Sequence, residues 1–362
     1  AEIKKSRNKT ERNISLIEKA LEKNPNEPTL LMSYALDLFN RGDIEMALDK
    51  LRESFDLVKE YPSKSLAPEV RERLINVFIN LLLQAEMYDE LIEVANSQLA
   101  KDCGPTSSIL FMHALALFKS GRSTEAIEPL RECIAKRNDR TYTSPFRGAV
   151  GTPPFHLLAD CLVRAGDLDG ALEGYKTALE MAPDSPGIRH DYAKLLAHQE
   201  RPEEAIELLN QSIQLGSMDS RLWALGSQIT NGPLNDIDIS LRWTECAFEQ
   251  FPKNQEIRKQ RGIALLTAGQ FEAALPLFDK TPSHPLTDAA RILCQITTDK
   301  KPDSADPTQE VVISSALINW YRRFLERGLT EPAQKITQRI ASIGAVLPTA
   351  AKVLKEALTE AD

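Results

Sequence analysis

Apolar residues along this chain recur three and four positions apart, over one stretch of a dozen or more residues after another. That spacing places them on one face of a helix, and no stretch shows the alternation of a half-buried strand. The pattern therefore predicts helix after helix. Short turns punctuate it: "RGDIEMAL" (41–48), "AEMYDELI" (85–92), "SGRSTEAI" (120–127), "AGDLDGAL" (165–172), "QERPEEAI" (199–206) and "AGQFEAAL" (268–275) each follow one apolar helix and open a second. Just past each turn stands a residue in fixed register, namely Ala47, Leu91, Ala126, Ala171, Ala205 and Ala274, and it is small in all but one. Another small residue falls twelve positions earlier in most units: Ala35, Ala114, Ala159, Ala193 and Gly262. Small side chains at these points let the helices of a hairpin approach closely. The large apolar residues beside them fill the space between neighbouring hairpins. Gly42, Gly121, Gly166 and Gly269 mark the ends of first helices, where a left-handed residue is favoured.

The clearest unit is "FHLLADCLVRAGDLDGALEGYKTALEMAP" (155–183), where Phe155, Leu158, Ala159, Leu162, Ala171, Tyr175, Ala178 and Pro183 are all in phase. It resembles the tetratricopeptide repeat, a helical hairpin of about 34 residues. Ala171 to Ala205 is 34 residues and Ala205 to Ala274 is 69, about two periods. The resemblance implies an all-α, right-handed α-solenoid in which each hairpin buries its apolar faces only by stacking on its neighbours. Residues 1–27 read as an N-terminal half repeat at a junction, 28–282 as the solenoid, and 283–362 as degenerate C-terminal hairpins with a capping helix near 348–360. Residues 222 to 252 form a diverged unit with extra turn residues around "NGPLND". "KKPDSADPTQ" (300–309) reads as a polar linker before a last hairpin carrying Ala333.

Two intervals exceed the period by about ten residues, and the excess falls in 59–68 and 138–152. Long loops in a compact array often carry function. The second contains Arg140, Tyr142, Phe146 and Arg147 before a "GAVGT" run, residue types that anchor interfaces beside glycines that permit close backbone approach. It is expected to fold over the groove or onto a neighbouring domain.

The Arg12-Asn13 lead-in to "RNISLIEKALEKNP", the widened gap after it and the loop from Gly148 to Thr152 together resemble the repeat tail that follows the catalytic domain in many bacterial family-2-type glycosyltransferases. The likeness runs from about residue 10 to 215. It implies a tail that docks on an adjacent catalytic domain, where it would position an acceptor or organise a homo-oligomer. The alternative is a stand-alone adaptor that gathers protein or peptide partners.

Inner-face positions of the first helices run Met32, Leu36 and Phe39, then Asn76, Asn80 and Gln84, then Phe111, Leu115, Phe118 and Lys119. His156, Asp160 and Arg164 follow, then His190, Lys194 and His198, and last Lys259 and Ile263. The middle of this series is polar with a cationic bias, so Asn76, Asn80, Lys119, His156, Asp160, Arg164, His190, Lys194 and His198 are the candidate groove residues. The early part is apolar, which predicts a covered face. A metal site at the histidines is not expected, because a lysine sits among them. The Asp-x-Asp strings at 167–169 and 236–238 lie in helix-connecting turns and lack the strand context of a nucleotide-sugar site. No catalytic residue and no cofactor is assigned.

Composition narrows the partners. A formal net charge of -8 with no concentrated basic stripe argues against nucleic acid. No apolar run reaches the roughly 18–20 residues that span a bilayer. Five cysteines without a Cys-x-x-Cys pair, and no signal-like leader, point to reduced thiols and a cytoplasmic setting.

Overall fold

The computed structural model describes residues 2–60, 67–141, 146, 148–214 and 216–359, and the chain divides into two compact units, 1–183 and 184–362. Every regular element among the described residues is helical. Unit 1 opens with α1 (Glu2–Lys23) and continues with the hairpin of α2 (Pro28–Arg41) and α3 (Ile44–Glu60). α4 (Pro68–Gln84) pairs with α5 (Tyr88–Ala95), and the short α6 (Gln98–Cys103) follows. Two further hairpins, α7 (Ser107–Lys119) with α8 (Ile127–Ala135) and α9 (Pro153–Ala165) with α10 (Leu168–Met181), complete it. Residues 59 and 60, the start of the expected first insertion, form the end of α3, while 61–66 lie outside the described residues.

Unit 2 stacks α11 (Pro186–His198) with α12 (Pro202–Gln214), α13 (Ser220–Asn231) with α14 (Ile237–Gln250), and α15 (Gln255–Thr267) with α16 (Phe271–Asp279). Beyond residue 282, where the repeat pattern fades, the chain still folds as helix: α17 (Pro285–Thr297), α18 (Glu310–Glu326), α19 (Thr330–Gln338), α20 (Ile340–Val346) and α21 (Pro348–Thr359). No short hairpin turn follows α17. The 300–309 linker takes that place in the chain and is fastened to α17: Gln295 donates from Nε2 to the Asp303 carboxylate at 2.8 Å and accepts the Asp303 N–H at 2.9 Å. Several helices start on proline, which needs no amide partner at the first position of a helix.

Packing explains the register read from the sequence. Ala47, Leu91, Ala126, Ala171, Ala205 and Ala274 are all fully buried, as are Ala35, Ala114, Ala159 and Ala193. At Gly262 an added Cβ would come within 2.9 Å of the Phe278 ring, so the helices of that hairpin meet across a position only glycine fits. Among the apolar inner positions, for which a covered face is expected, Met32 and Phe111 are buried in the core of unit 1, and the Phe111 ring stacks on Phe146 of the insertion. Leu36, Phe39, Leu115 and Phe118 stay half-buried.

Each hairpin turn needs one left-handed residue, five positions before the buried small one. Gly42, Gly121, Gly166 and Gly269 fill it, with φ between 74° and 101°. Where the unit lacks glycine, Glu86 and Glu200 take the same conformation at φ 58°. A side chain with a Cβ is strained there by about 1–2 kcal/mol. The added chain entropy of glycine offsets about 0.5–1 kcal/mol of that. Glu86→Gly and Glu200→Gly are thus each expected to raise stability by about 0.5–1 kcal/mol, read as a higher urea midpoint by circular dichroism. A lowered midpoint would contradict the assignment of strain.

Candidate functional site

In unit 1 the inner face of α4 carries Asn76 and Asn80. Together with Arg73, Ser108, Met112 and Phe146 they line a hollow of about 380 Å³. Gln84 donates to Asn80 Oδ1 at 3.2 Å. Phe146 of the 138–152 insertion forms part of this lining. The Phe146 N–H donates to Ser108 Oγ at 2.8 Å, and its ring stacks on Phe111 with centroids 6.1 Å apart. The Ala149 N–H closes a turn onto the Phe146 carbonyl at 2.8 Å, and Ala149 is fully buried. The Cys133 thiol, pushed up to about 12 by burial, lies 3.5 Å from the Ala149 carbonyl. At Gly148 an added Cβ would meet the Phe146 and Phe111 rings at 3.0 and 3.1 Å, so a small residue lets the loop lie flat. Phe146 of the insertion is thus packed against α7. Arg140 is exposed, and Tyr142 and Arg147 lie outside the described residues.

The remaining candidates of unit 1 do not join this hollow. Lys119 is exposed at the end of α7. Arg164 lies over the Phe118 ring, 4.0 Å from its centroid, and donates to Ser123 Oγ at 3.2 Å. His156 and Asp160 are half-buried one turn apart on α9, with Nε2 and Oδ1 separated by 3.8 Å. The Tyr175 hydroxyl donates to Asp160 at 2.6 Å, which fixes that carboxylate against α10. In unit 2, His190 Nδ1 lies 2.9 Å from Asp191, while Lys194 and His198 are exposed on the following turns of α11.

A cleft of about 590 Å³ lies in unit 2, among α13, α15, α17 and α18. Its walls carry side-chain amides: Gln228 and Asn231 on α13, Gln255 and Gln260 on α15, and Asn319 on α18. Its floor is apolar, formed by Ile263, Phe278, Ala316 and Trp320. Several amides are pre-set by hydrogen bonds. Asn231 donates to both the backbone carbonyl and the side chain of Gln260 at 2.8 Å, and its own oxygen accepts from Ser240. Glu256 gathers Lys259 at 2.6 Å, Gln260 at 2.9 Å and Gln228 at 3.0 Å. Burial alone would raise its carboxyl, but those three donors hold it below the usual carboxylate range. Arg323 lies over Trp320, 5.4 Å from the ring centroid. Arg327, one turn on, bonds Asn235 in the turn that follows α13.

Sequence reading named only Lys259 and Ile263 of this group. The signal for the others was their position on first helices, but two register shifts hid it. Gly226, not Gln228, is the small residue of α13, because the "NGPLND" turn adds two residues before Ser240. The 300–309 linker breaks the period again before α18.

With this geometry in hand, comparison with known proteins is informative about fold. The tetratricopeptide-repeat family profile matches residues 157–229. No curated protein sequence matches the chain. Among solved structures, the C-terminal part of a TPR repeat-containing protein from Cytophaga hutchinsonii superposes with a TM-score of 0.52 at 13% identity, covering 77% of this chain and 98% of that one. A tetratricopeptide repeat protein from Parabacteroides merdae gives 0.40 at 12% identity, over 85% and 98% of the two chains. YrrB, described as a TPR protein with an unusual peptide-binding site, gives 0.43 at 21% identity, over 55% and 91%. The profile match and the Cytophaga likeness show the fold: an all-α solenoid of tetratricopeptide-type hairpins. No described helix is long and apolar enough to cross a membrane.

Proposed function

We propose that this tetratricopeptide-fold chain is a non-catalytic docking module and that the cleft of unit 2 holds an extended segment of a partner protein. One observation carries the reading: amide side chains from α13, α15 and α18 surround a floor of Ile263, Phe278 and Trp320. An amide both donates and accepts, so a row of them can match the alternating N–H and C=O groups of an extended backbone. An apolar floor with few polar groups takes the side chains and fixes the register. In unit 1 the hollow beside Asn76 and Asn80 is partly filled by Phe146 of the chain's own insertion, which favours the cleft of unit 2 as the docking place.

The test is selection of displayed random peptides on the full chain, followed by measurement of the winners on Ile263→Arg. That half-buried position can accept a charge at the cleft without breaking the core. Binding is expected to fall at least tenfold, about 1.4 kcal/mol or more. Unchanged binding would remove the cleft from the function.

In a finer form of the reading, the partner is a catalytic domain on the same gene product, as in the glycosyltransferase tails that Arg12-Asn13 and Gly148–Thr152 resemble. A stand-alone adaptor accounts for the cleft equally well. The intact mass of the natural gene product separates the two.

A further inference from the structure

We propose that the segment held in the unit 2 cleft is acidic, with aspartates or glutamates flanking a large apolar side chain. The inference rests on the docking reading above and adds to it the chemistry of the partner.

The charge inventory of the cleft leads there. Glu256 is the only carboxylate among its described lining residues, and it is internally matched by Lys259 at 2.6 Å. Two amides complete its hydrogen bonding, so it has little left to offer a ligand. Arg323 is different. It is exposed, its guanidinium lies 5.4 Å from the Trp320 ring centroid, and no described carboxylate stands within ion-pair distance of it. Arg327 lies one turn further on the same helix, and its only described hydrogen bond is to an uncharged amide, that of Asn235. Two cations four residues apart repel each other. Burial, and then the neighbouring Arg323, hold the Arg327 guanidinium below its ordinary value, against the opposing pull of the adjacent Glu326 carboxylate. The wall of α18 thus presents one exposed guanidinium without a described carboxylate partner, that of Arg323, to an otherwise neutral cleft, while Arg327 beyond it is partly offset by Glu326. The chain as a whole carries -8, so this local excess runs against the global charge.

A guanidinium held over an aromatic ring can still present N–H groups to a carboxylate, which it can take in bidentate fashion. The floor beside it takes the apolar residue: Trp320 and Ile263 border a volume that suits a Leu or Phe side chain next to the acidic positions. Phosphate backbones carry charge too, but the cleft offers a single arginine over its one tryptophan and no run of cations along a groove. The peptide is therefore the better match.

The experiment uses a fluorescein-labelled twelve-residue peptide of aspartates and glutamates around a central Leu-Phe pair, and its counterpart with every acid replaced by the corresponding amide. Both are titrated against the full chain at low and at physiological salt. The expected result is at least tenfold tighter binding of the acidic peptide, weakening as salt rises, with the preference abolished by Arg323→Glu. Arg323 is exposed, so this variant is expected to fold, and matching circular dichroism verifies it. Equal or tighter binding of the amide peptide, or an acidic preference that survives Arg323→Glu, overturns the proposal. So does tighter binding of a twelve-nucleotide single-stranded DNA. If neither peptide binds while displayed peptides still bind in an Ile263-dependent way, the acidic assignment falls and the docking function stands. If binding persists in Ile263→Arg, the docking reading itself falls.

Discussion

Gly226→Ala is expected to destabilise unit 2 by about 3 kcal/mol, the upper end of what overpacking a close helix contact costs. Gly226 is buried on α13, and the Trp243 indole of α14 lies directly against it. A Cβ at that position would stand 2.7 Å from Trp243 Nε1 and closer still to the ring carbons. The ring has little room to retreat. Trp243 is buried, its Nε1–H donates to the Trp223 carbonyl at 3.1 Å, and the two indoles lie 5.4 Å apart. All three tryptophans of the chain, Trp223, Trp243 and Trp320, belong to unit 2, so tryptophan emission during urea unfolding reports that unit alone. The substitution should move this transition to lower urea. In a background of Trp243→Leu, where the ring is gone, Gly226→Ala should cost much less, since contacting residues couple. A loss under about 0.5 kcal/mol in the wild-type background, the size expected of a surface change, would mean that the two helices are not in contact there.

That hairpin also shows what the sequence makes legible. Where turn length is regular, the buried positions follow from counting. Ala159 and Ala171, twelve apart, are both fully buried, and the same count works from Ala35 through Gly262. The requirement is local, because small residues and turn glycines are dictated within one hairpin. In α13 and α14 the small residue is Gly226 and its partner Ser240 is fourteen positions on, so the same count misplaces Gln228 and Asn231. α17 lies in the stretch read only as degenerate hairpins for a related reason: it is strongly apolar, but the 300–309 linker rather than a short turn separates it from α18. The cleft of unit 2 depends on both irregularities. Its lining comes from helices whose register is shifted at the inserted turn or interrupted by the linker that Gln295 ties to α17. The docking of Phe146 on Phe111 was harder still to read, because it joins residues 35 positions apart through contacts that no periodicity encodes.

The second large effect concerns the floor of the cleft. Phe278→Ala is expected to cost about 4 kcal/mol, within the range for emptying a buried phenylalanine site. The ring is fully buried on α16, and it forms part of the floor while pressing on Gly262 of α15. Its removal leaves a void beneath Ile263, so the variant should unfold at lower urea and also lose the seat for an apolar ligand side chain. Because Gly262 is glycine to admit this ring, the two positions should be coupled. Gly262→Ala alone is expected to destabilise, since its Cβ would lie 2.9 Å from the ring. Added to Phe278→Ala it should instead fill part of the void and recover some of the loss, a coupling of opposite sign to simple addition. If the two effects merely added, the ring would not be what keeps position 262 bare. The depth of the cleft would then be set by the other helices around it, and Ile263 and Trp320 alone would define the apolar seat that the docking reading requires.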